Sequence, residues 1–98
     1  MTHNVYFWLK ENQNLEEFET MALKLTKIDI VESGSLGKNA PTPSREVTDK
    51  SFTYHLSLNF INLANHDLYQ THPEHKEFVT NCNQMWERVI VYDSETIN

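Results

Sequence analysis

Phe52-Thr53-Tyr54-His55-Leu56-Ser57-Leu58-Asn59-Phe60 is the most regular stretch of this chain. On a strand, Phe52, Tyr54, Leu56, Leu58 and Phe60 fall on one face, and Thr53, His55, Ser57 and Asn59 on the other. Strict alternation of this kind predicts a sheet with a core on one side and a polar surface on the other.

Upstream, Pro41 and Pro43 remove backbone donors from Lys38 to Asp49, which reads as a long loop. Before it, Ile30 to Leu36 predicts a weaker strand, interrupted by Gly34. Asn14 to about Lys27 predicts a helix, because Leu15, Phe18, Met21, Ala22, Leu25 and Ile28 recur at spacings of three and four. Asn14 can cap it, with Glu17 three positions on. His3 to Leu9 predicts a first strand with bulk on both faces: Val5, Phe7 and Leu9 on one, Tyr6 and Trp8 on the other.

Downstream, Asn62 to Gln70 predicts a short helix. His72 can cap another, which Pro73 opens and whose apolar stripe is Phe78, Val79, Cys82, Met85 and Trp86. Val89 to Tyr92 predicts the last strand. The order β-α-β-β-α-α-β makes residues 1–98 one α+β domain, a ferredoxin-like sandwich with a four-stranded antiparallel sheet and helices on one face. The other face is bare. Tyr6 and Trp8, with Ile90 or Val91, place apolar bulk there, which predicts a homodimer paired through the sheet face.

Fourteen acids against eight bases give a net charge of −6, which disfavours nucleic acids and anionic membranes as partners. The single cysteine, Cys82, excludes an internal disulfide, and its place on an apolar stripe predicts inert packing. No apolar run is long enough to span a bilayer, and the start of the chain lacks a secretory pattern, so the expected location is cytoplasmic.

Four blocks together resemble the stress-responsive A/B barrel (Dabb) proteins: His3 to Lys10; Gly37 to Pro43 with Arg45-Glu46-Val47; Asp67 to Val79; and Trp86 to Ser94, with Val91-Tyr92-Asp93. The resemblance implies a ferredoxin-like monomer and a dimer whose two sheets form an α+β barrel. One plant branch of the family cyclises polyketides without a cofactor, using a Tyr and a His in a pocket between sheet and helices. By register these fall on Tyr69 and His75, and a first-strand His falls on His3. The chain departs from that branch at Tyr54, where a further His is expected, and at Met21 and Ala22, which replace pocket aromatics.

His75 and Tyr69 are accordingly the leading catalytic candidates, with His3 as a third group. A histidine exchanges protons near neutral pH, and a tyrosine hydroxyl can hydrogen-bond a carbonyl as it becomes an enolate. The expected pocket lining is Tyr54, Phe7, Met21 and Phe78, and no cofactor is expected. His72 and His75, three apart at a helix start, can reach a metal together only with a third ligand such as His66 or Glu74; no known zinc spacing is present, and no metal is expected. Arg45 and Glu46 read as an exposed ion pair or a gate. Two functions stay open: a pocket binding a small carbonyl or aromatic molecule, with or without acid/base chemistry, and a non-catalytic, stress-related interaction or scaffold domain.

Overall fold

The computed structural model describes all residues, Met1–Asn98. The elements run β1 (Thr2–Leu9), α1 (Leu15–Leu25), β2 (Ser33–Gly37), β3 (Tyr54–Asn59), α2 (Leu63–Gln70), α3 (Pro73–Cys82) and β4 (Trp86–Ser94). The sheet order is β2-β3-β1-β4, with every neighbouring pair antiparallel. This is the ferredoxin-like arrangement expected from the element order.

Each helix starts at a residue that satisfies an orphan backbone donor. Asn14 accepts from Glu17 N at 3.0 Å, Asn62 from Asn65 N at 2.8 Å, and the His72 ring from Glu74 N at 3.1 Å. Pro73 opens α3, where its missing N–H costs nothing. The helices bury one side of the sheet. Val5 and Phe7 of β1 and Tyr54, Leu56 and Leu58 of β3 meet Phe18, Ala22 and Leu25 of α1, Tyr69 of α2, and Phe78 and Cys82 of α3. The rings of Phe7, Phe18 and Phe78 pack edge to face in this layer, with centroids 5.2 to 6.0 Å apart. Burial raises the pKa of the Cys82 thiol, in keeping with an inert packing role.

Four local expectations are corrected. β2 begins at Ser33, not Ile30: the chain leaves α1 through tight i→i−3 turns, and Ile28 and Val31 plug the core from the connection. Phe52 does not share the face of Tyr54. The chain bends before β3, where Thr53 N bonds Phe7 O at 2.7 Å, and the Phe52 ring lies 5.1 Å from Tyr6 on the opposite face. β4 is longer than Val89 to Tyr92, because it pairs with β1 from Trp86 to Ser94, with a bulge beside Leu9. Finally, the three acid–base pairs within 4 Å all involve histidine; Arg45 and Glu46 do not pair.

Gly34 marks a close approach. A Cβ there would stand 2.8 Å from Leu58 Cδ2 and 3.2 Å from both Ser57 O and Thr26 Cβ. The end of α1 can therefore lie against β2 only over a residue without a side chain.

Candidate functional site

Antiparallel pairing sets His3 of β1 directly opposite Asp93 of β4. His3 is 4% exposed, and its Nδ1 donates to Asp93 Oδ1 at 2.5 Å. The helix α2 buries only two residues, His66 and Tyr69, and brings both against His3, with ring centroids at 5.0 and 5.8 Å. Past the turn, α3 places His75 4.6 Å from the Tyr69 ring. Its Nδ1 lies 3.2 Å from Gln70 O. A carbonyl only accepts, so this nitrogen carries the proton and Nε2 keeps a free lone pair. The same logic leaves Nε2 of His3 free.

His3, Tyr69 and His75 line one cavity of about 140 Å³ between sheet and helices. Phe7, Phe78 and Trp86 form its aromatic wall, while Gln70 and Val91 are exposed at its mouth. Desolvation lowers the pKa of His75, helped by its proximity to His3 and His72 and opposed by the Gln70 carbonyl. Burial likewise lowers His3, with Asp93 pulling the other way and His66 adding to the depression. Burial raises Tyr69 far above the usual phenol range, so its hydroxyl stays protonated as a donor. Tyr69 is 1% exposed and its hydroxyl makes no hydrogen bond within the chain, yet no wholly buried side-chain N or O atom lacks a partner. The hydroxyl therefore keeps its open surface toward the cavity.

Of the residues expected to line the pocket, Phe7 and Phe78 do so. Tyr54 is buried on the same sheet face but stands outside the cavity, its hydroxyl donating to Glu19 Oε2 of α1 at 2.5 Å. Met21 lies outside it as well, half-buried on α1 beside surface grooves. His72 is spent on its cap and on Glu74, whose carboxylate lies 3.9 Å away. The histidines that do gather with a carboxylate are His3 and His66, with Asp93. Asp93 is the residue sequence reasoning missed. Its signal was its place at the end of β4, which the ferredoxin-like strand order sets beside the start of β1.

The other sheet face carries a second, shallower hollow of about 310 Å³. Tyr6 stacks on His55 at 4.4 Å, with their planes 3° apart. Phe52 and Tyr92 stand edge-on to Tyr6. Trp8 donates to Ser51 Oγ at 2.9 Å and lies 4.4 Å from the Arg88 guanidinium carbon. Ile90, opposite Tyr6, belongs to this face; Val91, opposite Val5, belongs to the cavity side.

A family profile described as "Stress responsive A/B Barrel Domain" matches residues 1–96. Among solved structures, a Dabb family protein with a ferredoxin-like fold from Mesorhizobium loti is 25% identical over 99% of this chain and 96% of its own, with a TM-score of 0.77. A hydroxynitrile lyase from Passiflora edulis is 17% identical over 99% and 95%, with a TM-score of 0.78. A dimeric ferredoxin-like protein of unknown function from Thermobifida fusca is 15% identical over 93% and 85%, with a TM-score of 0.74. No curated protein matches the sequence significantly. No helix is long and apolar enough to cross a membrane.

Proposed function

The chain belongs to the stress-responsive A/B barrel domain family, and from that premise we propose that its helix-side cavity binds a small carbonyl or aromatic molecule and performs cofactor-free acid/base chemistry on it. The observation that carries this reading is the Tyr69 hydroxyl, a donor without a partner in the chain and set between two histidines in an apolar pocket. His75, neutral near pH 7, takes a proton from a carbon next to the carbonyl through Nε2. Tyr69 donates to the carbonyl oxygen as it gains negative charge. His3, held in one tautomer by Asp93, is the second proton acceptor at the cavity floor. The volume, about 140 Å³, limits the occupant to roughly the size of one benzene ring. That a hydroxynitrile lyase shares the fold supports an enzymatic reading without naming this chain's substrate.

Thermal-shift measurements with benzaldehyde- and benzoate-sized compounds test the binding. The expected result is a rise in melting temperature that Tyr69→Phe reduces at least about tenfold in apparent affinity, while leaving the unliganded melting temperature almost unchanged, because the hydroxyl has no partner to lose. Any turnover found must fall with Tyr69→Phe and with His75→Ala; activity that survives both changes defeats the assignment.

The bare face supports a second reading, a homodimer paired through Tyr6, Trp8, Phe52, Ile90 and Tyr92 in which the domain acts as a scaffold. Its hollow is the larger of the two, at about 310 against 140 Å³, and it is mostly aromatic. The dimer and the pocket are compatible, since they use opposite faces. We place the protein in the cytoplasm.

A further inference from the structure

His3, His66 and Asp93 come from three elements, and one ligating atom of each lies within 4.8 Å of the others. Both histidines are buried, at 4% and 9% exposure, while the Asp93 side chain is 41% exposed and leaves a route in from solvent. Two imidazoles and one carboxylate form a ligand set that suits zinc and leaves a fourth position open.

The surroundings of His66 point the same way. Its Nδ1 donates to Asp67 Oδ1 at 3.1 Å, and Asp67 is exposed. Histidines that bind metals characteristically give their second nitrogen to a carboxylate, which fixes the ring and strengthens the ligating lone pair. That lone pair, on Nε2, is held only by the side-chain amide of Gln70 at 3.1 Å, from an exposed residue free to swing away. The two imidazole rings pack with their centroids 5.0 Å apart.

We propose that His3, His66 and Asp93 form a zinc site at the flank of the cavity. Binding asks for three small changes, the first being that the Gln70 amide leaves His66 Nε2. Asp93 Oδ1 and His3 Nδ1, now 2.5 Å apart, separate to about 3 Å or slightly more so that both can reach one ion at zinc–ligand distances of about 2.0–2.2 Å. His3 moves its proton from Nδ1 to Nε2, so no proton is gained or lost. In the loaded state His3 then has no free lone pair. Zinc occupancy and the acceptor role proposed for His3 therefore exclude one another.

The test is isothermal titration of the chelator-treated full chain with zinc chloride at about pH 7.5, alongside the visible absorption of bound cobalt(II). We expect one zinc per chain with Kd of about 1 µM or below, weaker at lower pH because zinc ligation needs deprotonated ligand atoms. His66→Gln should weaken binding at least about tenfold, and Asp67→Asn, a surface change that leaves all ligands in place, by about tenfold as well. The double variant with His72→Ala and His75→Ala should keep the wild-type affinity. Should His66→Gln fail to fold by circular dichroism, Asp67→Asn carries the test. No saturable binding at one zinc per chain, affinity indifferent to Asp67→Asn, or loss of binding in the His72/His75 double variant would each overturn the proposal. Zinc binding by a chain whose zinc-free form shows no turnover leaves this inference standing and the enzymatic reading failed.

Discussion

The two faces of the sheet are built from the same strands but follow different rules. On the covered face, Phe7 is 2% exposed and packs against Phe18, Phe78 and Trp86. One residue away, Tyr6 and Trp8 are half-buried and rest on His55 and Arg88 at the surface. The covered face is packed by shape around one cavity, where the Tyr69 hydroxyl and Nε2 of His3 and His75 have no partner in the chain. The open face is organised by stacking and cation–π contacts that remain available to a second body. Stability belongs to the first face, and association is what we propose for the second.

Phe7→Ala should sharpen that division most. Truncating a fully buried aromatic costs about 3–5 kcal/mol, read by urea denaturation, whereas Tyr6→Ala should cost the fold under about 1.5 kcal/mol. Equal losses at both positions would break the comparison. Trp8→Glu should then leave the fold intact and place a charge in the proposed sheet–sheet interface, so that light scattering reports a monomer at concentrations where the proposed parent dimer forms. A native-like dimer in this variant would remove Trp8 from the interface.

Gly34→Ala probes the covered side from its edge. Leu58 is fully buried and Ser57 O is backbone, so the added methyl has little room to be absorbed, and a loss of about 1–3 kcal/mol is expected in the same denaturation assay. The smallest effect is a pH dependence shared by both faces. Desolvation lowers the pKa of His75 on one side and His55 on the other below the ordinary 6.5. Between the folded and unfolded values the unfolded chain binds more protons, so stability is complete above about pH 6.5 and declines as the pH falls through the folded values. Urea midpoints at two pH values should show this. His75→Gln and His55→Asn should each flatten it in part, leaving the share of His3, whose pKa burial also lowers.

Much of this was legible in the sequence. The alternation from Tyr54 to Phe60 specifies β3 and its buried face, and the bulk on both sides of β1 announces a face the helices do not cover. Phe52 escaped because alternation holds only while the chain stays extended, and a tertiary bond from Thr53 to β1 bends it just before the strand. Ile30 and Val31 carry strand-forming character, but the turn leaving α1 claims them first. Tyr69, His75 and His3 do line one cavity. Asp93 was not readable from its neighbours, because its role depends on which strand lies beside β1. Tyr54 shows the same limit: its place on the core face was clear, but nothing local reveals that Glu19 would capture its hydroxyl.

The bulge between β1 and β4 has one more consequence. β4 is an outermost strand, and its middle, Val89-Ile90-Val91-Tyr92, is the kind of β-branched and aromatic run that recruits other chains into aggregates. The bulge twists one end of that run away from flatness, and Glu87, Arg88 and Asp93 flank it with charge. The residues proposed to grip Trp8 and to hold His3 thus carry a second burden, keeping an exposed strand from templating fibres.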